Sequence, residues 1–196
     1  MVDLAAIPSG WERGLMAGEA VIERCHRATA ALELAGIPYM VIGGNAVAEW
    51  VARIDDGATR YTKDVDILIE RPSFDAVRAS LEVTGFLYCD TGKYPAFIDG
   101  PTGRITSGIH VHFAGEKEKP DSAFSFPSLT ESERGSMFQV ATLEALIRMK
   151  LSAWRNVDGM HLHDLLHVGL FDSTWPARFP PSLDSRLQEV LDNPDG

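Results

Sequence analysis

Cysteine is scarce in this chain: only Cys25 and Cys89 in 196 residues. Two thiols cannot staple a protein of this size and form no metal-binding pair, which excludes a disulfide scaffold and makes a reducing cytoplasm the expected setting. Basic charge is also in short supply. Lys and Arg number 18 against 28 Asp and Glu, a net charge of −10, so the molecule as a whole repels polyanions and bulk DNA binding by general electrostatics is excluded. A local basic patch can still hold a phosphate or an RNA end. Long apolar runs are missing as well. The longest uncharged stretch, residues 34–48, is broken by Gly36, Pro38, Gly43 and Gly44 and is too short to cross a bilayer. Residues 1–10 lack the basic and apolar regions of a signal peptide, so the expectation is a cytoplasmic protein with no membrane partner.

What is present fits a packed globular chain, with 45% hydrophobic and 23% charged residues and length for one sizeable core plus a small appendage. Residues 18–35 carry Val21, Ile22, Cys25, Ala28, Leu32 and Ala35 at steps of three and four, the period of an amphipathic helix, which Gly36 stops. Tyr39, Met40, Val41 and Ile42, between Pro38 and two glycines, read as a buried strand, with a helix following from Asn45. Over 64–69, Val65, Ile67 and Ile69 alternate with Asp64, Asp66 and Leu68, a second strand. Pro72 suits the first turn of a helix ending near Gly85. Further strands are expected over 86–89 and 105–113, with a turn over 99–103.

Residues 115–135 are charged, contain Pro120 and Pro127, and read as an exposed loop or hinge. Beyond them Thr142 can cap a helix with Leu143, Leu146, Ile147, Leu151 and Trp154 in one stripe. More helices are expected over 160–170 and 182–192. The division that follows is an α/β core over 1–115, a hinge over 116–136, and a helical part over 137–196 packed on the core. Residues 156–196 hold seven acidic and two basic side chains, so half of the net charge sits on this tail as a solvated acidic face.

The chemistry concentrates in Gly43-Gly44-Asn45-Ala46-Val47-Ala48 and, a short loop later, Arg60-Tyr61-Thr62-Lys63-Asp64-Val65-Asp66. Two glycines between a strand and a helix let a phosphate approach the backbone, and the first N–H groups of the helix point at it. Asp64 and Asp66, two apart on a strand, project from the same face with α carbons roughly 6 to 7 Å apart and can hold a divalent cation. Magnesium, with manganese as the alternative, suits such an oxygen site completed by substrate phosphates. Arg60, Thr62 and Lys63 stand just ahead of the carboxylates as further candidates to meet phosphate. Taken singly, Gly-Gly is a turn and Asp-x-Asp a polar strand face; the ordered set points to a nucleotide site.

These two segments together resemble the polymerase-beta-type nucleotidyltransferase superfamily, in the form of its small prokaryotic AbiEii-like and minimal nucleotidyltransferase branch. The similarity extends more weakly to the helix with Thr142-Leu143-Glu144-Ala145-Leu146-Ile147 and Lys150, and to Arg155 and Asp164, so that it spans residues 36–170. It implies a mixed sheet flanked by helices, magnesium, a nucleoside triphosphate donor, and transfer of a nucleotidyl group to an acceptor, either a small molecule or a tRNA end. It also implies contact of Lys150 with the triphosphate, and an Asp164 near the cleft that orients Lys150 or Arg155. For a toxin of this branch the partner would be an antitoxin; a second copy of the chain is the other candidate.

One departure stands out. The resemblance implies a third carboxylate on a later strand, in a context such as Val-Asp-Leu-Leu. Here the matching segment is Val111-His112-Phe113-Ala114, which puts His112 at that position with His110 on the same strand face. An imidazole can take a proton or bind a transition metal but brings no negative charge for a second magnesium. Asp99 is the alternative carboxylate if the sheet register allows. A catalytically silent nucleotide-binding module is therefore the competing expectation to an active transferase. The string His163-Asp164-Leu165-Leu166-His167 looks like a zinc-protease helix with aspartate for glutamate, but its base is a methylene short and no third ligand is evident.

Overall fold

The computed structural model describes residues 10–119, 122 and 124–194; residues 1–9, which include most of the segment read for a signal peptide, and Pro120 lie outside the described residues. Strand β1 (Tyr39–Ile42) is buried on both faces, which is why its sequence is a continuous apolar run and not an alternation. It lies antiparallel to β2 (Val65–Ile69) and parallel to β7 (Gln139–Ala141). On its other side β2 runs parallel to β5 (Ile109–Phe113), followed by the antiparallel β4 (Pro95–Asp99) and β3 (Phe86–Asp90). With β6 (Ser132–Arg134) the order across this mixed, seven-stranded sheet is β3-β4-β5-β2-β1-β7-β6.

Among the described residues six helices clothe the sheet. Helix α1 (Gly10–Leu34) packs on α3 (Phe74–Val83) and on β2, whereas α2 (Gly43–Ala52) packs on α4 (Leu143–Ala153) and α5 (Asn156–His167), and α4 also meets α6 (Pro181–Asp192). Val65, Ile67 and Ile69 of β2 are fully buried in one core shared by strands and helices. The fold is the expected α/β architecture. Two registers position the site: Ile42 at the end of β1 pairs with Asp66, and Asp66 pairs in turn with His110 of β5.

Several boundaries differ from the sequence expectation. β4 was not expected; it starts at Pro95, and its Ala96-Phe97-Ile98 run shows no alternation. The segment expected as one strand over 105–113 opens with a single 3₁₀ turn, Ile105–Ser107, and the strand proper begins at Ile109. Residues 115–135 are not a plain loop. Lys117 and Ser125 form an antiparallel bridge, Ser128 and Glu131 form a capping box around a 3₁₀ turn, and β6 follows. β6 and β7 thus place part of the expected hinge and the start of the expected helical part inside the same sheet; strands of three residues carry no periodic signal. Helix α5 starts at Asn156, four residues earlier than expected, with Asp158 bonding the backbone N–H and guanidinium of Arg155 at its start. The cap of α4 by Thr142 is present, its hydroxyl accepting from the Ala145 N–H at 3.4 Å.

Candidate active site

The turn from β1 into α2 presses against the acidic strand. Gly43 has φ of +70°, a left-handed conformation that glycine adopts without cost, and a Cβ there would overlap Asp66 Oδ2. At Gly44 a Cβ would overlap the Thr62 side chain. The glycine pair is thus explained first by room for two of the chain's own side chains, beyond any room for a phosphate. Asn45 closes the latch: its Nδ2 donates to the Asp64 carbonyl at 2.6 Å and to Thr62 Oγ1 at 3.3 Å. Helix α2 starts without a side-chain cap and without an acidic residue in its first turn, so its leading N–H groups and their partial positive charge open beside the two aspartates.

Asp64 and Asp66 share the face with His110 and His112. His110 Nδ1 lies 3.6 Å from Asp64 Oδ2 and 3.5 Å from Asp66 Oδ1, while its Nε2 meets the Ile105 carbonyl at 2.8 Å. His112 Nε2 lies 3.1 Å from Asp66 Oδ1. Asp64, Asp66 and His110 each offer a ligand atom within 4.8 Å of the others, the one such group of three found among the described residues. Of the two histidines it is therefore His110, and not His112, that completes a three-donor cluster; His112 braces one of its members. Strand register decides this, because Asp66 is paired with His110, and a one-strand reading could not supply it.

The charges are strongly coupled. Burial works to raise Asp66, but the two imidazoles outweigh it and hold the carboxyl well below the usual carboxylate range. Asp64 is raised, by burial and by the charge of Asp66. Burial works to lower His110, yet Asp66 and the Ile105 carbonyl prevail and raise it. The rings are walled by aromatics: Tyr94 lies 4.8 Å from His110 and Phe126 lies 5.0 Å from His112, centroid to centroid. Neither was singled out from the sequence, since each comes from a connecting segment with no motif of its own.

Lys150 is buried at 5% exposure and its Nζ meets Asp158 Oδ1 at 3.1 Å. Asp158, fully buried, also accepts from the Arg155 N–H at 3.1 Å and from Arg155 Nε at 2.8 Å. Burial draws Lys150 below its ordinary value against the pull of Asp158. So Asp158, absent from the sequence candidates, orients both Lys150 and Arg155, the task expected of Asp164. The i, i+3 spacing of Arg155 and Asp158 at a helix start was the available signal. Asp164 instead sits 3.3 Å from Arg60 Nε. Lys63 is exposed and its carbonyl accepts from Arg24.

The alternative carboxylate lies away from the cluster. Asp99 is held by Arg24 and Arg27 of α1, at 3.4 and 2.6 Å, and supplies no third carboxylate. The rings of His163 and His167 lie 6.3 Å apart and His167 Nε2 meets the Pro194 carbonyl; among the described residues no third metal-binding side chain joins them.

No family model matches the sequence, and no curated protein does. Solved structures do. ANT(2'')-Ia in complex with adenylyl-2''-tobramycin is similar with a TM-score of 0.55 at 16% identity, over 87% of this chain and 98% of that one. The chain has a nucleotidyltransferase fold. JHP933 from Helicobacter pylori gives 0.53 at 17% identity over 94% and 76% of the two chains. An antigenic nucleotidyltransferase-like protein from Paracoccidioides brasiliensis gives 0.52 at 17% identity over 95% and 91%. This nucleotidyltransferase-type sheet places the Gly43–Gly44 turn, both aspartates and His110 at one end of β1, β2 and β5, with His112 two residues further along β5.

Proposed function

We propose that the protein transfers a nucleotidyl group from a nucleoside triphosphate to an acceptor hydroxyl, with a divalent cation held by Asp64, Asp66 and His110. The observation that carries this reading is the contact of Gly43 with Asp66, which sets a helix N-terminus directly beside a three-donor cation cluster. The donor set fits a dication: two carboxylates supply its counter-charge, and a second imidazole at 3.1 Å steadies one of them. When bound there, the cation, magnesium or manganese, would neutralise the triphosphate and the leaving pyrophosphate.

The chain's own residues do the rest. The leading amides of α2 at Gly44 and Asn45 bind phosphate oxygens. Asn45 and Thr62 tie that helix to the backbone of Asp64, so amides and carboxylates keep one geometry. Lys150 and Arg155, fixed by Asp158, add positive potential behind Asp66, and Arg60 and Lys63 add it at the rim. Catalysis is then mostly positioning and electrostatics, with the acceptor oxygen in line with the α-phosphorus.

A small molecule is the favoured acceptor. The net charge of −10 opposes docking of a long RNA, and the adenylylated compound in the ANT(2'')-Ia structure is small. The AbiEii-like reading, with a tRNA end as acceptor and an antitoxin or a second copy as partner in the cytoplasm, is the finer alternative within the same chemistry. Labelled triphosphates incubated with hydroxylated small molecules and tRNA provide the test. Labelled product is expected with at least one acceptor, and Asp66→Asn should reduce it on the order of a thousandfold, the loss of several kcal/mol of charge stabilisation, while its circular dichroism stays native. Triphosphate binding without any pyrophosphate release would instead identify a silent nucleotide-binding module.

A further inference from the structure

The third donor is an imidazole, and its second nitrogen is already committed. The Ile105 carbonyl can only accept, so the 2.8 Å contact fixes the N–H of His110 on Nε2. Nδ1 is left facing the oxygens of Asp64 and Asp66 at 3.6 and 3.5 Å. With Nδ1 unprotonated, a metal cation competes with a proton for the place that the three donor atoms share. Two ligands about 2.1 Å from a shared ion lie about 3.0 Å apart at a right angle and about 3.4 Å apart at a tetrahedral angle, close to the spacings present. The His110 side chain is only 9% exposed, lies against Tyr94, and belongs to a strand, so the donor is fixed before any ion arrives.

We propose that Asp64, Asp66 and His110 form a site for one first-row transition dication, selected over magnesium by the imidazole nitrogen. Magnesium favours oxygen ligands, whereas imidazole suits transition ions, whose affinity for nitrogen rises along the series from manganese toward copper. The two carboxylate charges balance a single dication, and the neutral imidazole adds none for a second. The inference rests on the same site as the proposed transfer, but it concerns the resting protein without nucleotide and is tested there.

Calorimetric titration of the nucleotide-free chain with Co2+ and with Mg2+ measures the preference. Any site favours cobalt to some degree, so the deciding quantity is the change in the Co2+/Mg2+ affinity ratio on His110→Asp. The ratio should fall at least tenfold in that variant, and the visible bands of bound Co2+ should change with loss of the nitrogen ligand. An unchanged ratio would overturn the proposal. Nitrogen-15 spectra of the histidine rings in the unmodified protein, recorded with and without Zn2+, decide the matter even if the variant does not fold. His110 should show a metal-bound Nδ1 and a protonated Nε2, and a ring unaffected by saturating Zn2+ would contradict the assignment. Selective binding without labelled product would reject the transfer and keep this site, while product formation with no metal preference would do the reverse.

Discussion

At Gly44 the backbone φ is one that any residue can adopt, and only space forbids a side chain: a Cβ would overlap Thr62 Cγ2 and crowd its Oγ1 and Cβ. At Gly43 space and conformation both forbid it, because φ is +70° and Asp66 Oδ2 occupies the Cβ position. The two neighbouring glycines should therefore respond differently to repair. Gly44→Ala should cost about 1–3 kcal/mol from overpacking, and Thr62→Ala in the same chain should recover a good part of that cost. Gly43→Ala should be recovered only in part by Asp66→Ala, since removing the carboxylate relieves the clash and the left-handed strain stays. Denaturant midpoints of the single and double variants check this; a Gly43→Ala, Asp66→Ala double variant as stable as Asp66→Ala alone would show that space alone governs the turn.

At the scale of elements, β2 and α5 show what was legible in the sequence and what was not. The alternation over 64–69 disclosed the strand and its acidic face, because period two is a property of one segment. Which histidine joins the acids is a property of two segments, β2 and β5, and depended on a parallel register that no local pattern encodes. Likewise the stripe of α4 was readable, but the partner of its buried Lys150 lay on α5 at Asp158. The strands β6 and β7 escaped notice because three residues are too few to display a period.

Helix α5 also carries a buried neutral histidine. His161 is 8% exposed, its Nδ1 has no hydrogen-bond partner among the described residues, and burial, aided by Lys150, Arg155 and Arg60, lowers it to about 4. Its folded value lies below the unfolded value near 6.5, so between them the unfolded chain binds more protons and stability rises with pH. The contribution is complete above about pH 6.5 and is lost as pH falls toward about 4, with an upper bound of about 3 kcal/mol. Thermal midpoints should therefore drop between about pH 7 and about pH 5 in the parent chain, by roughly 2–4 °C per kcal/mol at this size. His161→Leu should flatten that slope; an equal slope in both proteins would mean that the ring is charged in the fold.

For the whole molecule, the sheet order brings one end of β1, β2 and β5 together and sets α2 and its N-terminus on that end, while the surplus of acidic charge is spread elsewhere, much of it after residue 156. Under the proposed transfer, the positive potential that a triphosphate needs in one place comes from Lys150, Arg155, Arg60 and the α2 amides. None of the described helices is long and apolar enough to cross a membrane. The most direct test of the central claim is a crystal structure of the chain with Mn2+ and a non-hydrolysable nucleoside triphosphate. The account predicts the ion about 2.0–2.3 Å from oxygens of Asp64 and Asp66 and from Nδ1 of His110, with phosphate oxygens on the amides of Gly44 and Asn45. A triphosphate bound away from the Gly43–Gly44 turn, or an ion that leaves both aspartates untouched, would contradict it.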